Sequence, residues 1–150
     1  MLSPDDMARR VLAALLPAGR LWLGEGLPQR LRGVWPEGVE LSEHVGGGDA
    51  LVDLAVVEVG ACGPRGRCDA HAGVRASRVW GMSGSVAPFG EKALDGERLE
   101  RLFTPRAMLA FEEDRWRVLE VASGISARDV QEGAPFPLVA GPDLGPLRIP

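Results

Sequence analysis

The sequence contains no tyrosine and no asparagine, only one lysine (Lys92), and just two cysteines in 150 residues. Two cysteines cannot build the disulfide framework that staples small secreted domains. No apolar run approaches the roughly 18–20 residues of a membrane-spanning helix, so a membrane is not an expected partner. The N-terminus, MLSPDDMARR, carries Asp5 and Asp6 where an export leader would be basic, which makes the cytoplasm the expected location. Positive charge is also in deficit: 17 Lys and Arg face 21 Asp and Glu, a net charge of −4. That balance argues against a general nucleic-acid binder and leaves room only for a local basic patch. Few amides together with 12 prolines give a thermophile-like composition, a bias that GC-rich coding also produces.

What remains is ordinary for a globular chain, 45% hydrophobic and 25% charged. At this length residues 1–150 form one domain that buries roughly two-thirds of its unfolded surface. Ser3 followed by Pro4, Asp5 and Asp6 reads as a helix start, with Met7, Val11, Leu12, Leu15 and Leu16 at helical spacing and Pro17 with Gly19 as a stop. Arg20-Leu-Trp-Leu23 reads as a short strand running into Gly24-Glu-Gly26. A short helix begins near Pro28, and Val39-Glu-Leu-Ser42 is the next strand. Leu51 to Val59 is β-branched and apolar on both faces, as a buried parallel strand is. Gly63-Pro-Arg-Gly66 is a turn. Arg106-Ala-Met-Leu-Ala-Phe111 and Trp116-Arg-Val-Leu-Glu-Val121 flank Glu112-Glu-Asp-Arg115 as an antiparallel hairpin, and Ser126 with Asp129 caps a short helix. The Pro- and Gly-rich tail, 133–150, is expected to lie against the surface. Strands alternating with helices, with a hairpin at one end, predict an α/β fold whose sheet is mixed.

Leu41-Ser-Glu-His-Val-Gly-Gly-Gly48 is the most unusual stretch. It sets Glu43 at a predicted strand end, beside His44 and ahead of three glycines. Sites in open α/β sheets lie beyond the carboxyl ends of strands, where glycine N–H groups can approach a substrate or line up around an anion. A carboxylate there can act as nucleophile or base; the plain alternative is a surface turn. Cys62, Cys68 and His71 offer three ligand types but no fourth at zinc spacing, so no metal is expected. Gly24-Glu-Gly26 lacks the third glycine of a dinucleotide fingerprint. Arg65, Arg67, Arg75 and Arg78, with Asp69 as the only acid among them, form the basic patch: an acidic partner's site or a solvated face. Trp22, Trp35, Trp80 and Trp116 are core or interface anchors.

Several blocks, in order between residues 7 and 139, resemble the β (B) subunit of family I coenzyme A transferases. Arg20-Leu-Trp-Leu-Gly-Glu-Gly-Leu-Pro28 resembles that family's strand leading into Gly-x-Gly-Leu-Pro, and Pro36-Glu-Gly-Val39 its following Pro-Glu-Gly. Ser42-Glu43 falls where the family has Ser-Glu-Asn-Gly with its catalytic glutamate. Val52-Asp-Leu-Ala55, the Arg65-Gly66 turn, Leu119-Glu-Val-Ala-Ser-Gly-Ile-Ser126, Asp129-Val130 and Ala134-Pro-Phe-Pro-Leu138 are similar to later family blocks. The resemblance implies a Rossmann-like α/β fold with a mixed, mostly parallel sheet flanked by helices. It also implies an α-subunit-like partner or a homo-oligomer, with acyl-CoA and small carboxylic acids as reactants. CoA would be a substrate, with Arg65, Arg67, Arg75 and Arg78 as candidate contacts for its phosphates, and no cofactor would be bound permanently. Glu43 would attack an acyl-CoA to give an anhydride, and CoA would return to give a glutamyl-CoA thioester. Gly24, Gly26, His44, Gly46, Gly47 and Gly48 would line the substrate and oxyanion.

The departures from that family are specific. His44 replaces asparagine, and Glu25 stands between the two glycines, where its charge would raise a nearby carboxylate's pKa. Only Val45 to Ala50 separates Glu43 from the Leu51 strand, where the family has a long pocket-building segment, so the fold is expected to be trimmed by internal deletions. A second deletion falls between Asp69 and Thr104. There Val79 to Gly84 aligns either with the family's glycine loop or, through Ala76 to Val79, with a later core strand. Two functions therefore stand open: a CoA-transferase subunit, or a non-catalytic binding and assembly module that kept the fold. An acyl-CoA hydrolase is a variant of the first.

Overall fold

The computed structural model describes residues 1–15, 20–35, 42–43 and 51–146, of which 42–43 and 141–146 are described by their backbone alone. The first helix, α1 (Pro4–Ala14), opens as its sequence dictates. Ser3 Oγ accepts the Asp6 N–H at 3.1 Å, Pro4 needs no donor partner, and Asp5 and Asp6 sit at the positive end of the dipole. Met7, Ala8 and Val11 are buried on the sheet. Arg10 adds a bidentate ion pair to Glu120, with both N···O distances 2.6 Å.

Eight strands follow among the described residues: β1 (Arg20–Leu23), β2 (Ser42–Glu43), β3 (Leu51–Glu58), β4 (Arg75–Met82), β5 (Arg101–Phe103), β6 (Ala107–Glu112), β7 (Arg115–Val121) and β8 (Val139–Pro146). They form one sheet in the order β2-β1-β3-β4-β5-β6-β7-β8. Strands β1 to β5 are mutually parallel, β6 is antiparallel to both β5 and β7, and β8 returns parallel to β7. The mixed, mostly parallel sheet read from the sequence is present.

The two faces are covered differently. Leu54, Val56, Trp80, Met82, Phe103 and Met108 meet α1 and Leu31 of the short helix α2 (Arg30–Gly33). On the other face Ala55, Val57, Val79, Leu109, Trp116 and Val118 meet Val59, Cys62, Cys68, Val74 and Leu99 from the β3–β4 and β4–β5 connections. Among the described residues one helix, α3 (Ala127–Glu132), joins that second cluster, through Val130. Helices thus flank one face, whereas irregular crossovers close most of the other. They do so because their apolar residues lack the 3.6 period that would let a helix bury them.

The β6–β7 hairpin turns on Glu113 and Asp114, both at positive φ (55° and 60°), the geometry of a two-residue hairpin loop. Opposite Met108 and Leu109, β7 carries one extra residue, with Met108 paired to Glu120 and Leu109 to Val118. This bulge resets the alternation and lets Glu120 meet Arg10 of α1. Ser126 and Asp129 form the expected capping box at α3.

The Pro- and Gly-rich tail adds a strand to the sheet: Val139–Pro146 is its outermost strand beside β7, and the Gln131 side chain pins its approach. Gln131 Nε2 donates to the Phe136 carbonyl at 2.9 Å, and its Oε1 accepts the Leu138 N–H at 2.7 Å. Prolines are tolerated because an outermost strand pairs on one side only. Val79 to Met82 completes β4 and Gly84 lies just beyond it, so the glycines of that stretch sit at a strand end.

Candidate active site

Strands β2-β1-β3-β4-β5 run parallel in the order 2-1-3-4-5, which places a topological switch point between β1 and β3. Ligands of open α/β sheets bind outside the carboxyl ends at such a point. There β1 ends in Gly24-Glu25-Gly26 and β3 ends in Glu58. The Gly24 N–H donates to the Val56 carbonyl at 2.8 Å, extending the ladder by one residue, and Gln29 Nε2 donates to the Gly24 carbonyl at 2.8 Å. Gly26 adopts φ 81°, ψ −132°, a conformation essentially reserved for glycine. It is held against the Glu58 carboxylate, and a β-carbon on Gly26 would lie 2.7 Å from Glu58 Cδ.

Around this turn is a cleft of about 390 Å³ lined by Trp22, Gly24, Glu25, Glu58, His71 and Gly73, among others. Glu25, Glu58 and His71 are all exposed. The concavity therefore offers two carboxylates, one imidazole and a tryptophan wall, with Gly73 close enough to that wall that a β-carbon would sit 3.0 Å from Trp22 Cζ2. Glu58 was not singled out from the sequence. Its available signal was a charged residue closing the otherwise apolar strand Leu51–Glu58.

Glu43 is the last residue of β2, and its backbone is in register with Leu21 of β1. Its level in the sheet is therefore that of Leu21 and Leu54, on the strand next to β1 and three residues short of Gly24. His44, Gly46, Gly47 and Gly48 lie outside the described residues, as do Pro17, Gly19 and Pro36 to Leu41.

The arginines gather elsewhere. Arg65 and Arg67 flank Gly66, and with Arg98, Phe111 and Asp114 they line a cavity of about 460 Å³. Arg78 lies in an adjoining cleft, 3.6 Å from Glu100 and stacked over Trp80 at 6.0 Å. Arg75 begins β4, at the amino end of the parallel strands. The four predicted basic residues therefore do not meet Gly24 and Gly26. Arg98, which sequence reading omitted, is brought to Arg67 by an isolated antiparallel bridge.

Cys62 and Cys68 are buried free thiols that face each other across a second isolated bridge. Burial raises both thiol pKa values, with neighbouring Cys68 and Asp69 adding to the effect at Cys62. His71 lines the switch-point cleft, and no group of three His, Cys, Asp or Glu side chains among the described residues is placed to hold a metal ion. Trp80 and Trp116 are buried core anchors, and Trp116 Nε1 donates to the Gly63 carbonyl at 2.9 Å. No helix of the described residues is long and apolar enough to cross a membrane.

No protein-family model and no curated protein matches the sequence. Solved structures do. The acyl-CoA transferase YdiF of Escherichia coli O157:H7 superposes with a TM-score of 0.77 at 14% identity, over 98% of this chain and 43% of that one. Glutaconate coenzyme A-transferase from Acidaminococcus fermentans gives 0.68 at 14% identity, over 99% and 90% of the two chains. The decarboxylase AibA/AibB gives 0.70 at 13% identity, over 100% and 90%. This chain thus spans less than half of the E. coli enzyme, while it matches most of the glutaconate enzyme's chain. The chain has the fold of the family I CoA-transferases.

Proposed function

We propose that this chain is a β-subunit-like CoA-transferase unit that moves CoA between small carboxylic acids through a thioester on Glu43. One observation carries the reading: the chain takes the fold of the CoA-transferases, and in it β2, which holds Glu43, pairs in parallel with the strand that runs into Gly24-Glu25-Gly26. In this reading the sheet is a trimmed Rossmann-like unit. The Glu43 carboxylate adds to the acyl-CoA carbonyl and expels CoA as thiolate, leaving an acyl-glutamyl anhydride. The thiolate then adds to the glutamyl carbonyl and expels the donor's carboxylate, leaving glutamyl-CoA, and an acceptor carboxylate reverses both steps. The protein's task is to hold the carboxylate still and aim donors at each developing oxyanion. Because the Gly24 N–H is already engaged with Val56, the donor role falls to Gly26, His44, Gly46, Gly47 and Gly48.

Support comes from the E. coli acyl-CoA transferase, which has been solved as a thioester complex with CoA (TM-score 0.73, 16% identity, over 99% of this chain and 43% of that one). Because this chain covers only part of that enzyme, the active unit includes an α-subunit-like partner or a second copy, in the cytoplasm. The test is a CoA-transfer assay with the partnered protein over a panel of acyl-CoA donors and carboxylate acceptors. Glu43→Gln should reduce transfer by on the order of 10³-fold or more while the unfolding midpoint stays in place; full activity in that variant refutes the role.

Glu25 and Glu58 favour a second reading. Both carboxylates line the cleft where an anionic substrate would approach, and like charges oppose one another at short range. A module that kept the fold for assembly, with no transfer activity, tolerates that crowding. The readings separate on Glu25→Gln with Glu58→Gln, which should raise transfer in the enzyme and leave an assembly module's complex unchanged. An acyl-CoA hydrolase would show in the same assay as product released without an acceptor.

A further inference from the structure

The cavity lined by Arg65, Arg67, Arg98, Phe111 and Asp114 lies across the sheet from Glu43, beside β6 and not β2. Phe111 N–H donates to the carbonyl of Glu100, just before β5, and Leu99 N–H donates to the Gly66 carbonyl. Both contacts fix this region beside β5 and β6, with β6 five strand spacings, or about 24 Å, across the sheet from β2. The site is built rather than incidental. Gly66, at φ 85°, packs on the Phe111 ring, so closely that a β-carbon would lie 2.6 Å from Phe111 Cγ. That contact fixes the two arginines on either side of Gly66.

The charges there are poorly balanced. Arg67 Nη1 donates to the Gly96 carbonyl at 3.1 Å, which orients its guanidinium without neutralising it. Arg98 lies over the Phe111 ring at 5.4 Å and meets Asp114 at 3.7 Å, a pair whose side chains are 60% and 95% exposed and therefore weak. Arg65 has no ion pair or hydrogen bond among the described residues. The nearby Glu97 carboxylate accepts the Ala72 N–H at 3.2 Å. Glu97 lines the adjoining cleft, and within this cavity's own lining three guanidinium groups face one carboxylate, a surplus of about two positive charges that complements a phosphate dianion. The volume, about 460 Å³, suits a small molecule.

We propose that Arg65, Arg67 and Arg98 form a binding site for the phosphoryl group of a small phosphorylated ligand, separate from the β2–β1 side of the sheet that carries Glu43. Inorganic phosphate and pyrophosphate are the probes, titrated calorimetrically into the full chain at low ionic strength. Saturable one-to-one binding is expected. Arg65→Gln should weaken it by about tenfold or more. Asp114→Asn should tighten it severalfold, because it removes the competing carboxylate while asparagine keeps the positive-φ turn. Arg30→Gln, on α2 beside Asp5, should change nothing. The gain in Asp114→Asn guards against a loss that merely reflects misfolding. Displacement of phosphate by CoA would place a CoA phosphate in the cavity, and binding that persists in saturating CoA would assign it to a separate phosphorylated ligand. Binding that does not saturate, or that ignores both Arg65→Gln and Asp114→Asn, overturns the proposal.

Discussion

Replacing Gly26 with alanine probes the turn at the switch point more sharply than any other single change there. Two terms oppose the methyl group. The backbone, at φ 81° and ψ −132°, lies where L-residues are strained by about 1–3 kcal/mol. The methyl would also meet the Glu58 carboxylate, 2.7 Å from Cδ, but that side chain is exposed and can swing aside at little cost. Backbone strain should therefore dominate, giving a loss of about 2 kcal/mol, or about 1 M in the urea midpoint if the slope is near 2 kcal/mol/M. A double-mutant cycle with Glu58→Ala isolates the clash. If strain dominates, most of the loss from Gly26→Ala persists when Glu58 is already alanine. Gly33→Ala is the internal control, since it ends α2 and a methyl there would meet nothing within 4 Å. It should be neutral or stabilise by up to about 1 kcal/mol. The reasoning is refuted if Gly26→Ala unfolds within about 0.3 kcal/mol of the parent, or if its whole cost vanishes in the Glu58→Ala background.

Other consequences follow from named contacts. Glu120→Gln keeps the shape of the α1–β7 ion pair but removes its charge; with Arg10 and Glu120 side chains only 10% and 20% exposed, equilibrium unfolding should show a loss of about 2 kcal/mol. The Asp129 carboxyl is held below its ordinary pKa by the Ser126 N–H and hydroxyl of the capping box. A depressed carboxyl adds stability above its unfolded pKa and loses it as pH falls through the folded value. Protection factors of the α3 amides, corrected for the intrinsic pH dependence of exchange, should therefore fall on acidification in that range, and Asp129→Asn should flatten this dependence. Cys62 and Cys68 are buried, with thiol pKa values raised by burial. Native protein should resist alkylation, reacting only at a rate that climbs with denaturant; rapid stoichiometric labelling at neutral pH would contradict their placement.

Much of this architecture is written in local chemistry. Ser3 with Pro4 and two acids, the apolar run of β3, the hairpin around Glu113 and Asp114, and the Ser126–Asp129 box each specify an element from neighbouring residues alone. The Gly24-Glu25-Gly26 turn was legible for the same reason. What escaped depends on distant partners. β8 reads as Pro- and Gly-rich coil because its strand character comes from pairing with β7 and from Gln131. The loops over the second face carry apolar residues without a period, so nothing local says that they seal a core. Glu58 became a site candidate only once β1 and β3 were neighbours, and Arg98 joined Arg65 and Arg67 only through a bridge between two loops.

The most direct test of Glu43 as a CoA-carrying nucleophile is intact-mass spectrometry of the partnered protein after incubation with a panel of acyl-CoAs. The chemistry proposed for Glu43 predicts a mass increase of one CoA that maps to Glu43, disappears with hydroxylamine and is absent from Glu43→Gln. A folded, partnered sample that gains no adduct from any donor would contradict it and leave the chain as an assembly module on a CoA-transferase fold.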